Sequence, residues 1–563
     1  MSGKDNQYDI AILGSGIAGS LIGTILARYG ARVLLIDAGT HPRFAVGEST
    51  VRHTFRMMKI MGERFDIPEV RHCSSGENIR KYVTSGCGEK RNFGFVYHRP
   101  GQEQIPEEST QLRIPPFLEG YEAHLFRQDI DPYLMYAAVR YGAELQLNTK
   151  IEDITFDDQC VTLGSTAGET FTASFVVDAS GFRSPIAEKF NLRSAPDRLK
   201  THSRSIFTHM IDVEDYDELY PPGTYGMPEK WYNGTCHHIF DGGWLWVIPF
   251  DNHPKSTNPL VSIGLSLDSR LYPKPSYSPQ QEWEEFLDRF PSIKKQFVRA
   301  QVVRPWVSTG RLQYSSKQTI GDRFCLLAHA ALNIDATFSR GLANTTEAIN
   351  ALAPLLLAAV KDDDFRAERF EYIERLQQNT IENNDKLVHG AYVSFRDFDL
   401  WNAWFRIWAL GVGIGDLRLA GIYRKFKETH DLSVLPDAEE PMGLFCSNHK
   451  GFKVLFDKAD AIVDKVEAGE LDPKVASAQI FALVREVDYT APAIGLADPT
   501  HRGINAGEPL TLLRSAVWGM REAPPEIKQH LGGAVGGLIK NIKVSNVLGR
   551  RKEEQSPAAV RTV

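Results

Sequence analysis

The sequence predicts an α/β fold in three parts: a Rossmann-like dinucleotide-binding unit, an inserted β-sheet region and a helical C-terminal region. Three features predict it. From Asp9 to Asp37 an apolar strand, a glycine turn, a helix, a second strand and an acid follow one another in the order that binds a dinucleotide. A further apolar strand, Phe175 to Val177, runs into Asp178 and a turn at Gly181. After about residue 360 strand patterns mostly vanish, and helical spacing dominates through Ile539.

In the first unit, Ile10 to Leu13 form the strand and Gly14-Ser15-Gly16-Ile17-Ala18-Gly19 the turn. Gly14 permits the tight turn, Gly16 lets the backbone approach a pyrophosphate, and Gly19 lets the helix pack close to the sheet. The helix start offers free N–H groups and the positive end of a dipole to that phosphate. Leu21, Ile22, Ile25, Leu26 and Tyr29 recur at helical spacing, and Gly30 is placed to end the helix. Asp37 stands where a carboxylate accepts from ribose hydroxyls, and its charge repels a 2′-phosphate. The pattern alone does not separate FAD from NAD.

The 563 residues are too many for one ordinary core and point to two or three structural units. Hydrophobic residues at 42% and charged residues at 24% are ordinary for a globular protein. A net charge of -7 argues against nucleic acid as the main partner. The 9 Trp and 30 Phe lean towards an apolar or aromatic ligand pocket, although a large core gives the same count. The six cysteines are scattered without metal or redox spacing, so no metal site is expected and they read as reduced thiols of a cytoplasmic protein. The polar N-terminus enters the first strand within ten residues and reads as lacking a signal peptide. Leu400 to Ile422 is the most apolar long stretch, but it carries Arg406, Asp416 and Arg418. It reads as a buried or amphipathic helix, and no membrane contact is expected.

Along the chain, His41 to Thr50 reads as a loop that enters a helix through a cap residue before Val51. It can place backbone amides and Arg43 near a cofactor, or serve as a plain connector. Lys90 stands at or just before a strand running from Phe93 to His98; taken alone, such a lysine reads as a solvated charge. Phe126-Arg127 opens an amphipathic helix that Gly142 ends. Asp178 lies at a strand's carboxyl edge, where open α/β sheets bind ligands. In the strand-rich region 200–310, Trp244, Trp246 and Ile248 share one face at period two, which by itself is an ordinary sheet core. A strand from Arg323 to Ala328 leads through His329 to Gly341 into another helix, a second anion-friendly N-terminus.

Assembled, these motifs resemble the flavin-dependent halogenases, and most nearly the tetracycline-halogenase group that acts on aromatic polyketides. The resemblance runs along essentially the whole chain. It is carried by the glycine turn, Arg43 through Thr50, Asp178-Ala179-Ser180-Gly181-Phe182-Arg183-Ser184, Trp244-Leu245-Trp246-Val247-Ile248-Pro249 and Phe338-Ser339-Arg340-Gly341. The tryptophan run is the most diagnostic. The glycine turn and the Asp178 motif are shared with the wider flavin monooxygenases.

The resemblance implies FAD rather than NAD, held in a domain of the glutathione-reductase/p-hydroxybenzoate-hydroxylase type. It implies an FAD-binding core at 1–360 with its substrate-side sheet at roughly 75–125 and 200–310, a helical C-terminal domain at 361–550 and a flexible tail at 551–563. It implies that reduced flavin from a separate flavin reductase, with O2, converts chloride or bromide to hypohalous acid. A lysine then presents the halogen to an electron-rich phenolic or polyketide ring, free or carrier-bound, in natural-product biosynthesis. The matching lysine is Lys90, with Lys81 as competitor. Trp244 and Trp246 match the wall between flavin and substrate, and Ser339, Arg340 and Gly341 match the halide turn. Gly14, Gly16, Ile17, Ala18, Gly19, Asp37, Arg43, Ser49, Arg127, Asp178, Asp335 and Gly341 are expected at the cofactor. Two departures stand out: the family's usual Asp-Pro is Asp335-Ala336, which puts loop rigidity in question, and a Gly-Asp-like element reads Ala328-His329. No glutamate base is matched, leaving Glu48 and His98 as candidate helpers. Two other readings stay open: an FAD-dependent aromatic monooxygenase of the same fold, and a flavoprotein without turnover.

Overall fold

Five parallel strands make the centre of the first sheet, in the order Phe324–Leu326, Thr170–Asp178, Gln7–Leu13, Val33–Ile36 and Glu144–Gln146. The computed structural model describes residues 7–115, 120–431 and 441–531, so the expected tail at 551–563 lies outside the described residues. The inner strands read as unbroken apolar runs because both faces are covered: Ile10, Ala11, Ile12, Leu34 and Leu35 are all buried. Leu13 lies opposite both Ile36 and Asp178, and Asp178 lies opposite Leu326. Four strands therefore end level, and that carboxyl edge floors a cleft.

Among the described residues the second sheet has nine strands. Its main path runs Gln301–Val302, Ser203–Ile211, Val261–Asp268, Gly243–Pro249, Thr235–Phe240, Asn92–Tyr97, Ser109–Arg113 and Gly503–Ile504. Period two sorts its side chains. Trp244, Trp246 and Ile248 enter one core with Phe93 and Phe95, while Leu245 and Val247 enter another with Val96, Leu265 and Phe286.

Lys90 is not in the strand that follows it. It ends a separate short strand, Gly88–Lys90, paired antiparallel with Glu122–His124 so that Lys90 faces Glu122. Arg91 breaks the run because its amide bonds to the Asn233 carbonyl at 2.7 Å. A second local expectation also changes. The helix Arg52–Arg64 starts after Val51 with no side-chain cap, because Thr50 instead donates to the Ala123 carbonyl at 2.7 Å.

The C-terminal helices share a core with the second sheet. Trp401, Trp404, Phe405 and Trp408, on the helix Phe398–Thr429, lie in one cluster with Phe93, Phe95, Trp244 and Trp246. Arg406 on that helix is buried and donates to Asn402 at 2.9 Å and to the His501 carbonyl at 2.8 Å. No helix among the described residues is long and apolar enough to cross a membrane.

Candidate active site

The cleft opens into a cavity of about 1710 Å3 that reaches from the glycine turn to the two tryptophans. That exceeds the roughly 300–1,000 Å3 typical of a drug-sized ligand and suits a dinucleotide with room beyond it. Gly14, Gly16, Ile17 and Ala18 line its floor. Gly14 has φ +100°, and a Cβ there would sit 2.6 Å from the Ala179 carbonyl oxygen. A Cβ on Gly19 would sit 1.9 Å from the Gly14 carbonyl oxygen, so helix and turn meet backbone to backbone. Gly16 has only the Asp131 carboxylate near its Cβ direction, at 3.9 Å, which leaves its backbone open. The residues of this turn fit FAD: an open backbone at Gly16 could receive a pyrophosphate.

The three acids expected at the cofactor each accept hydrogen bonds from the protein, and Asp37 and Asp335 line the cavity. Asp37 accepts from Arg43 at 2.5 and 2.8 Å, from the Ser15 amide and hydroxyl at 2.7 Å each, and from the Gly39 amide at 2.9 Å. Burial raises its pKa, but these donors outweigh it and hold the carboxyl well below the usual range. Asp178 is fully buried and does not line the cavity. It accepts from Ser180 and Ser184 hydroxyls at 2.6 Å and so shapes the loop whose backbone does. Asp335 accepts from Ser203, from Tyr392 at 3.1 Å, from Ser266 at 3.2 Å, and from the Thr337 amide at 2.9 Å. These bonds answer the question raised by Ala336: an Asp-centred turn tied to the second sheet fixes the loop without proline. Arg127 lines the cavity but is paired with Asp131 at 2.6 Å and with the Val46 carbonyl at 2.6 Å.

At the far end, Ser339 takes a left-handed conformation, φ +52°, just before the helix Gly341–Asp362. Its hydroxyl lies 3.1 Å from that of Ser49. The Arg340 guanidinium lies 4.6 Å from the Phe445 ring centre and donates to Asn344 at 2.8 Å and to Asn384 at 3.3 Å. Its Nη1 is buried without a hydrogen-bond partner, on a residue that lines the cavity. An unpaired cationic donor of this kind is expensive unless an anion joins it.

Trp244 and Trp246 stand with ring centres 5.4 Å apart, both lining the cavity. Trp244 donates to Tyr392 at 3.2 Å and Trp246 to Ser262 at 3.2 Å. Gly264 on the next strand makes room: a Cβ there would lie 1.8 Å from the Trp246 ring. The two indoles are thus pinned at both nitrogens, and Trp246 also from behind.

Lys90 is 0% exposed. Its nitrogen donates to Ser49 Oγ at 2.9 Å and to the Thr50 carbonyl, and stands 4.3 Å from the Phe93 ring centre. Burial pushes its pKa down to about 7, against the pull of Glu122. Burial also raises Glu122, to about 7, opposed by Lys90 and Arg52. The competitor Lys81 is exposed and lies over Tyr82. Neither candidate helper is free. Glu48 lines the cavity but accepts from His209 at 2.8 Å, and His98 is buried against His238 at 2.9 Å; Lys90 and His98 both lie behind the lining, which Lys90's partner Ser49 joins.

Sequence reading missed Glu122, His124, Thr235 and Tyr392, which reach the site from distant segments. It also missed one group with metal-ligand spacing, His389, Asp464 and Glu467. Lys200 already holds both Asp464 oxygens, at 2.7 and 2.8 Å, and Arg270 holds Glu467 at 3.1 Å, so that group reads as an ion-pair network.

An FAD binding domain family model matches residues 7–259. The chain is 45% identical over 533 residues to monodechloroaminopyrrolnitrin halogenase PrnC of Pseudomonas fluorescens, covering 93% of this chain and 94% of that protein. It is 44% identical over 535 residues to tetracycline 7-halogenase of Kitasatospora aureofaciens, covering 94% and 96%. The crystal structure of halogenase PltM in complex with phloroglucinol and FAD superposes with a TM-score of 0.84 at 34% identity, covering 88% of this chain and 99% of that one.

Proposed function

The chain belongs to the flavin-dependent halogenases, and from that premise we propose that Lys90 carries the halogen to an electron-rich phenolic ring. The observation that carries this reading is the fully buried lysine, held by two neutral oxygens and linked through Ser49 to the halide turn. Bound as FADH2 supplied by a separate reductase, the cofactor with O2 provides the oxidising power that turns chloride or bromide into hypohalous acid. The glycine turn and Gly341 would hold the cofactor, while Asp37, Asp178 and Asp335 shape the loops around it. Arg340 and the Ser339 turn bind the halide, an assignment favoured by the unpartnered Nη1. Trp244 and Trp246 keep the aromatic substrate from the flavin by bulk.

The neutral Lys90 amine takes the halogen from hypohalous acid. The N–halogen bond forms as the O–halogen bond breaks, and hydroxide leaves with an amine proton as water. The ring then accepts the halogen and returns its displaced proton to the amine. Phe93, stacked on Trp408 at 4.6 Å and meeting Phe95 at 5.2 Å, gives the lysine an aromatic surround that suits such a ring.

The pH dependence tests this. Only the neutral amine has a lone pair, so product formation is expected to fall about tenfold per pH unit below about pH 7, where Lys90 gains its proton. The fall is read from initial rates of halogenated product with excess FADH2. A rate that stays flat down to pH 5 contradicts a titrating Lys90.

A further inference from the structure

A chain of side chains behind Lys90 has only one consistent hydrogen-bond direction. His124 Nδ1 lies 2.7 Å from the Pro249 carbonyl oxygen, and a carbonyl only accepts, so Nδ1 carries a proton. In a neutral ring Nε2 is then bare, and it lies 3.0 Å from Thr235 Oγ1, which must donate to it. Thr235 has one proton, now used, so it accepts from Ser49 at 2.8 Å. Ser49 has spent its proton in turn and keeps two lone pairs. Lys90 Nζ at 2.9 Å and Ser339 Oγ at 3.1 Å fill them.

We infer that His124 and Thr235, acting through Ser49, are positioning residues that orient the Lys90 amine for halogen transfer. A neutral amine has two N–H bonds. Here Ser49 Oγ and the Thr50 carbonyl take both. The lone pair occupies the one position left, on the side of the nitrogen that no oxygen holds. If the chain ran the other way, Ser49 would donate to that lone pair and silence it. His124 sets the direction because it stays neutral. Burial pushes it down to about 3, with the charge of Lys90 as the next cause. The titratable groups around it are Lys90 on the paired strand, Glu122 on its own strand and His237 on the strand Thr235–Phe240. Burial likewise pushes His237 down to about 3, so it adds no competing cation. The position of Ser49 is fixed independently by an antiparallel bridge between Ser49 and His124.

This inference rests on Lys90 as the halogen carrier, and the experiment separates the two. Thr235→Val keeps the side chain's size and removes its hydroxyl. Ser49 is then free to donate to the amine, which blocks the nucleophile and favours its neutral form. Product formation at the pH plateau is expected to fall about tenfold, the cost of a misdirected buried hydroxyl. At the same time the acid limb is expected to move to lower pH. Thr235→Ser, which restores the hydroxyl, should recover both. A Thr235→Val enzyme with the wild-type plateau, or with a lower plateau and an unmoved acid limb, overturns the orienting role. A Lys90→Met enzyme that still halogenates overturns the lysine reading instead.

Discussion

Lys90→Met is expected to cut halogenated product by on the order of a thousandfold, the scale of losing a nucleophile on which a covalent step depends. Methionine matches the lysine in length and suits a site that is 0% exposed. The substitution removes the amine and little packing. Lys90 is hydrogen-bonded by Ser49 and the Thr50 carbonyl rather than by a carboxylate, and Glu122, which faces it, keeps Arg52 at 3.8 Å. The variant should therefore unfold at or above the wild-type temperature, since a buried ammonium costs more than it returns in such a setting. FAD should still bind, and the oxidised halide should escape, to be caught by a scavenger in solution. Single-turnover product analysis beside thermal unfolding checks both halves. Lost activity together with lost folding would mean that Lys90 matters for structure instead.

Gly19→Val is expected to weaken FAD binding by about a hundredfold. The Cβ would sit 1.9 Å from the Gly14 carbonyl oxygen, and that atom belongs to the turn itself. The helix Ile17–Arg28 must back away or the turn must open. Either change costs on the order of 3 kcal/mol of local strain, which is about a hundredfold in affinity. The remainder of the first sheet is packed through Leu21, Ile22, Ile25 and Leu26 and should hold. Titration of the apoprotein with FAD, followed by flavin fluorescence, reads the shift. An unchanged Kd would place the pyrophosphate elsewhere.

How much of this was legible in the sequence depends on how local each signal is. The first strand, its turn and its helix are written in consecutive residues, and the tryptophan alternation needs only seven, Gly243–Pro249. Both appear in the structure as the periodicity requires. The acids were harder. Asp37 and Asp178 stand where a carboxylate meets a ligand in this kind of fold, and their place at strand ends reads so; Asp335 is expected at the cofactor only through the family resemblance. What occupies them comes from elsewhere: Ser203, Ser266 and Tyr392 converge on Asp335 from three separate elements. Lys90 carries the same lesson in reverse. Nothing beside it in the chain marks it as buried, since Ser49, Thr50 and Glu122 reach it only through tertiary pairing. The glycines at 94 and 264 are similar cases. Trp231 and Trp246 lie against them, and only the fold shows why no side chain fits.

The most direct test is a mass-spectrometric turnover assay of the whole chain with FAD, a flavin reductase, NADH, O2 and a panel of phenolic aromatics, in chloride and then in bromide. The account predicts a product in which one ring hydrogen is replaced by halogen, with the matching isotope pattern in each salt and no added oxygen. A product carrying added oxygen and no halogen would contradict it, and would mean that the substrate reaches the flavin past Trp244 and Trp246.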